Sequence, residues 1–323
     1  MYNIIKLFIF IIFKKPVLLL PGFGASKLIK NNIEIWPPNL SFFLFNHDIW
    51  TNHMMDKKEV YTLEFGDKKS LDMNSLLLTN KNFYKKILLN DNIYPIPYDF
   101  RQINNDIYMK NLFIKLKIYI ENFNKPIIIL THSTGGLIMH YFLTTQSKNW
   151  LDKHIDKIIH VNVPFGGIIY TLDNLIRPTF INKLFSKKLL LSIDAYIINL
   201  PNQNIIKPTL VINNQIANYY KIFDIPNDIL FILANSKIIK SLDKKTHINT
   251  KIIYTSNIKT PIYIKISNNN IDMIYGLGDG LVPLSSLLYP IRWKQSNLEI
   301  INLQNYEHSS ILLSDELINI IDK

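Results

Sequence analysis

Apolar runs that end in glycine-containing turns recur along the chain. They cover residues 16–20, 125–130 and 157–163, and each is followed at once by a turn that contains one or more glycines. An apolar run without polar alternation is typical of a strand buried on both faces, as in a parallel sheet. The pattern therefore predicts three strands of one parallel sheet.

Helical spacing of apolar residues appears between these runs. Residues 106–123 show it and predict a crossover helix, and the apolar stretch 137–143 predicts a helix directly after the second strand. Further strands are predicted at residues 251–255 and 298–303. Strands that alternate with helices indicate an α/β fold with a mostly parallel central sheet.

Two long segments interrupt this alternation. Residues of about 34–94 and about 168–249 do not fit the strand and helix repeat, and are predicted to be cap and lid insertions in a single domain that covers residues 16–323. The second segment is rich in Ile, Leu and Asn and is biased toward helix. Ordinary helical packing and a substrate-covering cap both remain open for it.

The first 15 residues allow three interpretations. An apolar run at residues 7–13 is flanked by lysines and is too short to span a bilayer as a helix. It is predicted to be a membrane-surface anchor, a remnant of a targeting signal or an extra edge strand. The first two favour a membrane-associated, secretory or extracellular location.

Composition excludes several classes of site. The 323 residues include no cysteine, which rules out disulfides, zinc ribbons and thiol nucleophiles. The histidines lack metal-ligand spacing, so no metal and no cofactor are expected. The net charge of +11 comes from scattered lysines, without the long basic run of a nucleic-acid site. Such a surplus attracts a protein to anionic lipid headgroups, by about 1 kcal/mol for each basic residue near the surface.

A nucleophile is predicted at the second glycine-rich turn. Ser133 lies between a buried strand and an apolar helix, in the sequence Thr-His-Ser-Thr-Gly over residues 131–135. A nucleophile elbow needs small neighbours, because its strained turn brings the residues two before and two after the serine close together. Gly135 meets this requirement, but Thr131 stands where the upstream glycine is expected. A plain turn is the alternative.

An acid and a base follow Ser133 in the chain order serine, acid, histidine, which is expected for a serine nucleophile at a strand-to-helix turn of a parallel sheet. Asp279 lies in the Gly-Leu-Gly-Asp-Gly segment 276–280, and His308 follows the last predicted strand. Acyl chemistry at a serine needs a base, a group that orients the base, and donors to the developing oxyanion. The first glycine-rich turn offers backbone amides of Phe23 and Gly24 as such donors, together with that of Thr134.

The chain resembles the lecithin:cholesterol acyltransferase family, which includes lysosomal phospholipase A2 and phospholipid:diacylglycerol acyltransferases. Five collinear blocks are similar to that family, and they cover residues 16–28, 35–50, 97–101, 126–143 with 163–167, and 278–287 with 307–312. The resemblance implies an α/β-hydrolase fold with helical cap and lid insertions.

The resemblance also implies roles for individual residues. Ser133 corresponds to the nucleophile, Asp279 to the orienting acid and His308 to the general base, with Gly24 and Thr134 as oxyanion donors beside Phe23. Trp50 matches a substrate-binding aromatic of the lid, where family members carry a cysteine just before the tryptophan and this chain has Ile49. The Pro-Tyr-Asp-Phe-Arg block at 97–101 is expected to hold the loops on the substrate side.

The sequence therefore predicts an O-acyltransferase or phospholipase that moves a fatty acyl group from a phospholipid to an alcohol, such as a sterol, or to water. Its expected partner is a phospholipid membrane surface. Two alternatives remain, a catalytically weak lipid-binding or membrane-perturbing protein on the same fold, and a general carboxylester or neutral lipase.

Overall fold

The computed structural model describes residues 15–72, 83–177, 185–222, 225–268 and 270–322. The apolar run at residues 7–13, with its three interpretations, lies outside this part of the chain. Among the described residues, no helix has both the length and the apolar character that a bilayer crossing requires.

Thirteen strands are described, and we number them in chain order: β1 (Val17–Leu20), β2 (Leu28–Lys30), β3 (Ile33–Trp36), β4 (Val60–Tyr61), β5 (Ile93–Pro95), β6 (Ile127–His132), β7 (Ile155–Val161), β8 (Leu210–Ile212), β9 (Gln215–Ile216), β10 (Asn249–Tyr254), β11 (Asn257–Ser267), β12 (Asn270–Asp279) and β13 (Leu298–Asn302).

The α-helices of the described part are α1 (Leu40–Phe45), α2 (His47–Met55), α3 (Asp106–Glu121), α4 (Thr134–Thr144), α5 (Lys148–His154), α6 (Ile169–Ile176), α7 (Lys187–Ser192), α8 (Asp194–Ile198), α9 (Tyr219–Ile222), α10 (Asn227–Asn235), α11 (Lys237–Ser241), α12 (Leu284–Leu287) and α13 (Asp315–Asp322). Short 3-10 helices cover Lys68–Ser70, Ile87–Leu89, Tyr289–Trp293 and Ser310–Leu313.

The central sheet has six strands in the order β13-β10-β7-β6-β1-β5, and every neighbouring pair is parallel. The predicted α/β class with a mostly parallel sheet is confirmed. Parallel strands end at one edge, so the turns after β1, β6 and β7 meet at the carboxyl edge of the sheet. The predicted catalytic residues Ser133, Asp279 and His308 lie at this edge.

Both faces of this sheet are covered, which explains the unbroken apolar runs. Successive side chains of a strand point to opposite faces. Leu18 of β1 and Ile129 of β6 belong to the larger core cluster with α3 and α4, whereas Leu19 and Leu130 belong to a second cluster. The second cluster includes Leu317 of the C-terminal helix.

A second sheet, which the sequence did not predict, has the order β12-β11-β8-β9. Its core is the long antiparallel hairpin of β11 and β12, and β8 pairs with β11 in parallel. Strands β8 and β9 come from the predicted insertion at 168–249, so that segment is not wholly helical. A third, three-stranded sheet of β3, β2 and β4 adjoins helices α1 and α2 of the first insertion.

Candidate active site

Ser133 occupies a strained turn between β6 and α4. Its φ of 52° and ψ of −134° lie in a region that residues other than glycine rarely adopt. The backbone amide of Ser133 donates to the Val161 carbonyl at 3.0 Å, which anchors the turn to the neighbouring strand. Ser133 is the N-cap residue of α4 and is buried, with 6% of its surface exposed.

The glycines after Ser133 are required by close packing against β1 and the turn after β7. A Cβ on Gly135 would lie 2.4 Å from the Pro21 carbonyl oxygen, and one on Gly136 would lie 2.2 Å from Cγ2 of Val163. The three atoms nearest to a Cβ on Gly135 belong to Leu20 and Pro21 at the end of β1, so this strand end restricts the position most.

Thr131 is accommodated by a buried hydrogen bond. Its side chain is fully buried, and its Oγ1 lies 2.8 Å from Nδ1 of His160 on β7. Burial and the neighbouring His140 hold the pKa of His160 well below its usual range, so this imidazole is neutral. The departure from the expected glycine is thus matched by a polar partner on the adjacent strand.

The structure brings Ser133, His308 and Asp279 into one line of hydrogen bonds. Nε2 of His308 lies 2.9 Å from Oγ of Ser133, and Nδ1 of His308 lies 2.7 Å from Oδ2 of Asp279. A carboxylate only accepts hydrogen bonds, so Nδ1 of a neutral His308 carries the proton and Nε2 is left to accept from the serine. This arrangement makes Ser133 a candidate nucleophile and His308 its candidate base.

Asp279 is held by backbone groups on its other side. It is the last residue of β12 and has no exposed surface, which differs from the expected open loop. Its Oδ1 accepts the amides of Leu281 and Val282 at 2.9 and 2.7 Å, and its carbonyl accepts the His308 amide at 2.8 Å. Hydrogen bonds therefore fix both carboxylate oxygens of Asp279, and a further one fixes the backbone of His308.

The turn after β1 lies directly against Ser133. A Cβ on Gly22 would come within 3.0 Å of the Ser133 Cβ, and the turn closes through the Ala25 amide and the Gly22 carbonyl at 3.2 Å. Gly24 has a φ of +78°, which favours glycine at this position. The turn that contains Phe23 and Gly24 thus adjoins the candidate nucleophile, and their role as oxyanion donors stays a prediction.

Thr134 is the first residue of α4, where helix amides lack partners within the helix. Its hydroxyl accepts a hydrogen bond from Nδ2 of Asn199 at 2.8 Å, and both side chains are buried. Asn199 follows α8 in the second insertion, so this insertion reaches the candidate oxyanion site. The sequence offered no local signal for Asn199.

Trp50 lies inside an aromatic cluster of the first insertion and is 0% exposed. Its Nε1 donates to the Ile35 carbonyl at 2.8 Å, and its ring contacts those of Trp36, Phe43 and Phe185. We call α1, α2 and these rings the aromatic cap. The predicted contact of Trp50 with substrate stays a prediction, since in this structure the ring is covered by other side chains.

Arg101 fastens the aromatic cap to the body of the protein. Its guanidinium forms two hydrogen bonds to the buried carboxylate of Asp99, at 2.8 and 2.7 Å. Its Nη1 also donates to the carbonyls of His53, Met54 and Asp56 at the end of α2, at 3.1, 3.1 and 3.2 Å. A cation there suits the negative end of a helix.

A pocket of about 610 Å³ lies between α4 and the second insertion. Its lining is mainly apolar and includes Leu137, Ile198, Leu200, Leu233 and Ile238. Ile198 and Leu200 flank Asn199, which contacts Thr134. The volume lies within the range of pockets that bind small molecules.

Tyr84, His132 and Asn162 also contact the site, and the sequence predicted none of them as site residues. The Tyr84 hydroxyl lies 2.7 Å from Nδ1 of His132, which directly precedes the candidate nucleophile, and Asn162 donates to the His308 carbonyl at 3.0 Å. Tyr84 lies in an insertion, 48 residues before its partner His132. The contact arises only in the folded chain, so no spacing in the sequence indicates it.

Comparisons with known proteins bear on the family and on the fold. A sequence model of the family "Lecithin:cholesterol acyltransferase" matches residues 80–198. The "Lysosomal phospholipase A and acyltransferase" of Rattus norvegicus is 23% identical over 313 residues, which cover 87% of this chain and 75% of that protein. The "Phosphatidylcholine-sterol acyltransferase" of Gallus gallus is 22% identical over 281 residues, with 80% and 68% covered.

Among solved structures, one described as "The crystal structure of Tle4-Tli4 complex" has a TM-score of 0.65 at 10% identity, and covers 95% of this chain and 98% of that one. This similarity concerns the fold, which is that of the α/β hydrolases. The sequence similarities confirm the predicted resemblance.

Proposed function

We propose that this chain, a relative of the lecithin:cholesterol acyltransferase family, is a serine-dependent acyltransferase or phospholipase that acts on phospholipids. The observation that supports this most directly is the line of hydrogen bonds from Ser133 through His308 to Asp279, at 2.9 and 2.7 Å. In this family a serine at such a position would transfer the acyl group through a covalent intermediate.

The reaction begins when Nε2 of His308 takes the Ser133 hydroxyl proton as the serine oxygen attacks the ester carbonyl. In this proposal Asp279 stabilises the imidazolium that forms, and the backbone amides of Gly24 and Thr134 donate to the developing oxyanion. The proton then passes to the leaving lysophospholipid, and the acyl group remains on Ser133. An alcohol or a water molecule next attacks this ester while His308 accepts its proton. The bond between the acyl carbon and Ser133 Oγ then breaks, and His308 returns the proton to the serine oxygen.

The aromatic cap supports a membrane surface as the partner. Leu40, Leu44 and Phe45 of α1 and Ile49 of α2 are 62, 62, 83 and 51% exposed. Exposed apolar groups in one segment are typical of a surface that meets a membrane or another apolar partner. Helix α7, which packs against α2, carries exposed Lys187 and Lys188, and these would favour anionic headgroups. A membrane-associated or secretory location is part of the same proposal.

The test uses vesicles of phosphatidylcholine with a labelled acyl chain, with and without a long-chain alcohol or sterol, followed by product identification. We expect wild-type protein to release fatty acid or to form an acylated alcohol, and Ser133→Ala to lose at least about 99% of either activity, since removing a triad member typically costs far more. Ser147→Ala is the matched control, because Ser147 is also the N-cap of a helix, α5.

A fluorophosphonate probe gives a second measurement. It should label wild-type and Ser147→Ala protein but not Ser133→Ala. Absence of labelling in the wild type would favour a catalytically silent lipid-binding protein. Cleavage of short soluble esters without any action on vesicles would favour a general carboxylesterase.

A further inference from the structure

The carbonyl oxygen of His308 is fixed by two buried side chains. His132 Nε2 lies 3.0 Å from it, and Asn162 Nδ2 donates to it at 3.0 Å. His132 and Asn162 are 1% and 0% exposed. His132 is the last residue of β6 and Asn162 directly follows β7, so they connect the loop of His308 to the two central strands of the sheet.

The protonation of His132 follows from its partners. A carbonyl oxygen only accepts, so Nε2 of His132 carries a proton. Burial, followed by the charge of nearby His308, lowers the pKa of His132 to about 3, although the hydrogen bond to the His308 carbonyl opposes this. The ring is therefore neutral, and its Nδ1 accepts from the Tyr84 hydroxyl at 2.7 Å.

Tyr84 extends this chain of hydrogen bonds to the turn after β1. Its hydroxyl oxygen accepts the backbone amide of Gly22 at 2.8 Å. One continuous path thus runs from the Gly22 amide through Tyr84 and His132 to the backbone of His308. It joins the turn of the candidate oxyanion donors, the residue before the candidate nucleophile, and the candidate base.

We infer that His132, oriented by Tyr84, is a positioning residue that fixes the backbone of His308 and thereby the contact between His308 and Ser133. This inference rests on the proposed function. Without the Tyr84 hydroxyl, Nδ1 of the buried His132 ring would lose its donor, and the contact with the His308 carbonyl alone would orient the ring. A neutral His132 also places no second positive charge beside the imidazolium of His308, whose ring centre is 5.1 Å away.

Two amide substitutions separate the two contacts of the ring. In His132→Gln the side-chain amide reaches about as far as Nε2 and keeps the donor to the His308 carbonyl. In His132→Asn it reaches only the position of Nδ1, so it keeps the contact with Tyr84 and loses that with His308. Both variants place a neutral amide at the same buried position. They differ in whether the hydrogen bond to the His308 carbonyl is kept.

We expect His132→Asn to lower kcat by about tenfold with KM unchanged, since a misplaced base loses transition-state stabilisation while substrate binding is retained. His132→Gln should stay within about threefold of wild type, because one retained hydrogen bond is the main difference. Tyr84→Phe loses the same contact as His132→Gln and keeps the donor to the His308 carbonyl, so it should also lower kcat by no more than about threefold. Combined with His132→Asn its effect should be less than multiplicative, because both act on one path.

Thr250→Val is the control for the loss of a buried hydroxyl. Thr250 is 2% exposed and lies near the start of β10, at the end of the sheet away from the site. Its hydroxyl donates to the Ile248 carbonyl. It should lower the thermal midpoint without changing kcat. Thermal melts of every variant separate loss of fold from loss of positioning.

A proton NMR measurement tests the inference without any assay of turnover. The low-field resonance of the proton between His308 Nδ1 and Asp279 should remain sharp in His132→Gln and broaden or disappear in His132→Asn. Equal kcat and equal spectra for the two amide variants would overturn the inference, as would a change in thermal midpoint alone. A fully active Ser133→Ala would instead overturn the proposed function, and the resonance would still report on the positioning of His308.

Discussion

Ser133 and Trp50 are both almost completely shielded from solvent, but different interactions hold them. Around Ser133 the contacts are directional, with His308 at 2.9 Å, the Val161 carbonyl at 3.0 Å and glycines that no larger residue can replace. Around Trp50 one hydrogen bond to the Ile35 carbonyl is accompanied by aromatic rings at centroid distances of 4.9 to 6.4 Å.

This difference bears on how each region tolerates change. Hydrogen bonds depend steeply on distance and angle, so an isosteric change of one atom can disable the site while the fold persists. Aromatic packing depends on volume, so the aromatic cap should tolerate a change of polarity at its rim but not the loss of a central ring.

The comparison also explains how the aromatic cap is held without the cysteine that the family resemblance implies beside Trp50. Ile49 stands at that position and is 51% exposed, so it contributes little packing. The Trp50 ring cluster and the three carbonyls bound by Arg101 hold α2 instead. A buried, bidentate Arg101–Asp99 pair gives this anchor a fixed direction.

Asp279→Asn should have the largest effect on the site side of the comparison. An amide at this position removes the acceptor that orients His308, and kcat should fall by about 10⁴-fold, the size seen for such a change in other serine enzymes. The amides of Leu281 and Val282 still find an oxygen to bind, so the thermal midpoint should change by only a few degrees. Steady-state kinetics and thermal melts measure both.

Asp243→Asn is the control for that substitution. Asp243 accepts the Tyr289 hydroxyl at 2.5 Å and lies outside the site. It should leave kcat unchanged. If Asp279→Asn lost less than about tenfold in kcat, Asp279 would not be the residue that orients the base.

Trp50→Ala should have the next largest effect, on the aromatic cap. Removing a fully buried aromatic ring typically lowers the free energy of unfolding by about 3–5 kcal/mol, through lost burial and the cavity that remains. Urea unfolding measures this. Trp50→Phe should recover most of the loss because a ring still contacts Phe43 and Phe185.

The same variant also separates packing from chemistry. At low temperature the folded fraction of Trp50→Ala should keep its fluorophosphonate labelling, since none of the bonds to Ser133 involve the cap. A loss of labelling in folded protein would show that the packing of the aromatic cap also holds the site, and would contradict the distinction between the two regions.

The central sheet could be predicted because its physical signal is local. Residues 16–20 and 126–130 are apolar throughout, as strands covered on both faces must be, and they contribute to β1 and β6 at the centre of the sheet. The crossover helix at 106–123 was also predicted, and α3 covers Asp106–Glu121. Ser133, Asp279 and His308 could be proposed from the same kind of signal, each by a glycine-rich or strand-end context.

The β11–β12 hairpin was not predicted because its signal is weak. Its residues are largely half-exposed and its apolar positions are interrupted by Lys259, Pro261 and Lys265, in a chain where Ile, Asn and Lys are common everywhere. The turn at Asn268 and the partial alternation before it were the available indications. Contacts such as Tyr84 with His132 depend on the assembled fold, and no local pattern encodes them.

Phe45→Ser should have the smallest effect, and it tests the rim of the aromatic cap. Phe45 is 83% exposed, so the substitution should leave the unfolding free energy within about 0.5 kcal/mol of wild type. If the side chain enters a bilayer, its loss removes about 1.5–3 kcal/mol of apolar burial, which corresponds to roughly a tenfold or greater loss of vesicle affinity.

The matched control is Ile107→Ser, because Ile107 is 75% exposed on α3, outside the aromatic cap. It should bind phosphatidylcholine vesicles like the wild type in a sedimentation assay, and both variants should hydrolyse a short soluble ester at the wild-type rate. Equal vesicle binding by Phe45→Ser and Ile107→Ser would mean that the exposed apolar rim is not the membrane contact. In that case the site around Ser133 and the aromatic cap would differ only in how they are held, by hydrogen bonds and by packing, and the cap would have no separate role in lipid binding.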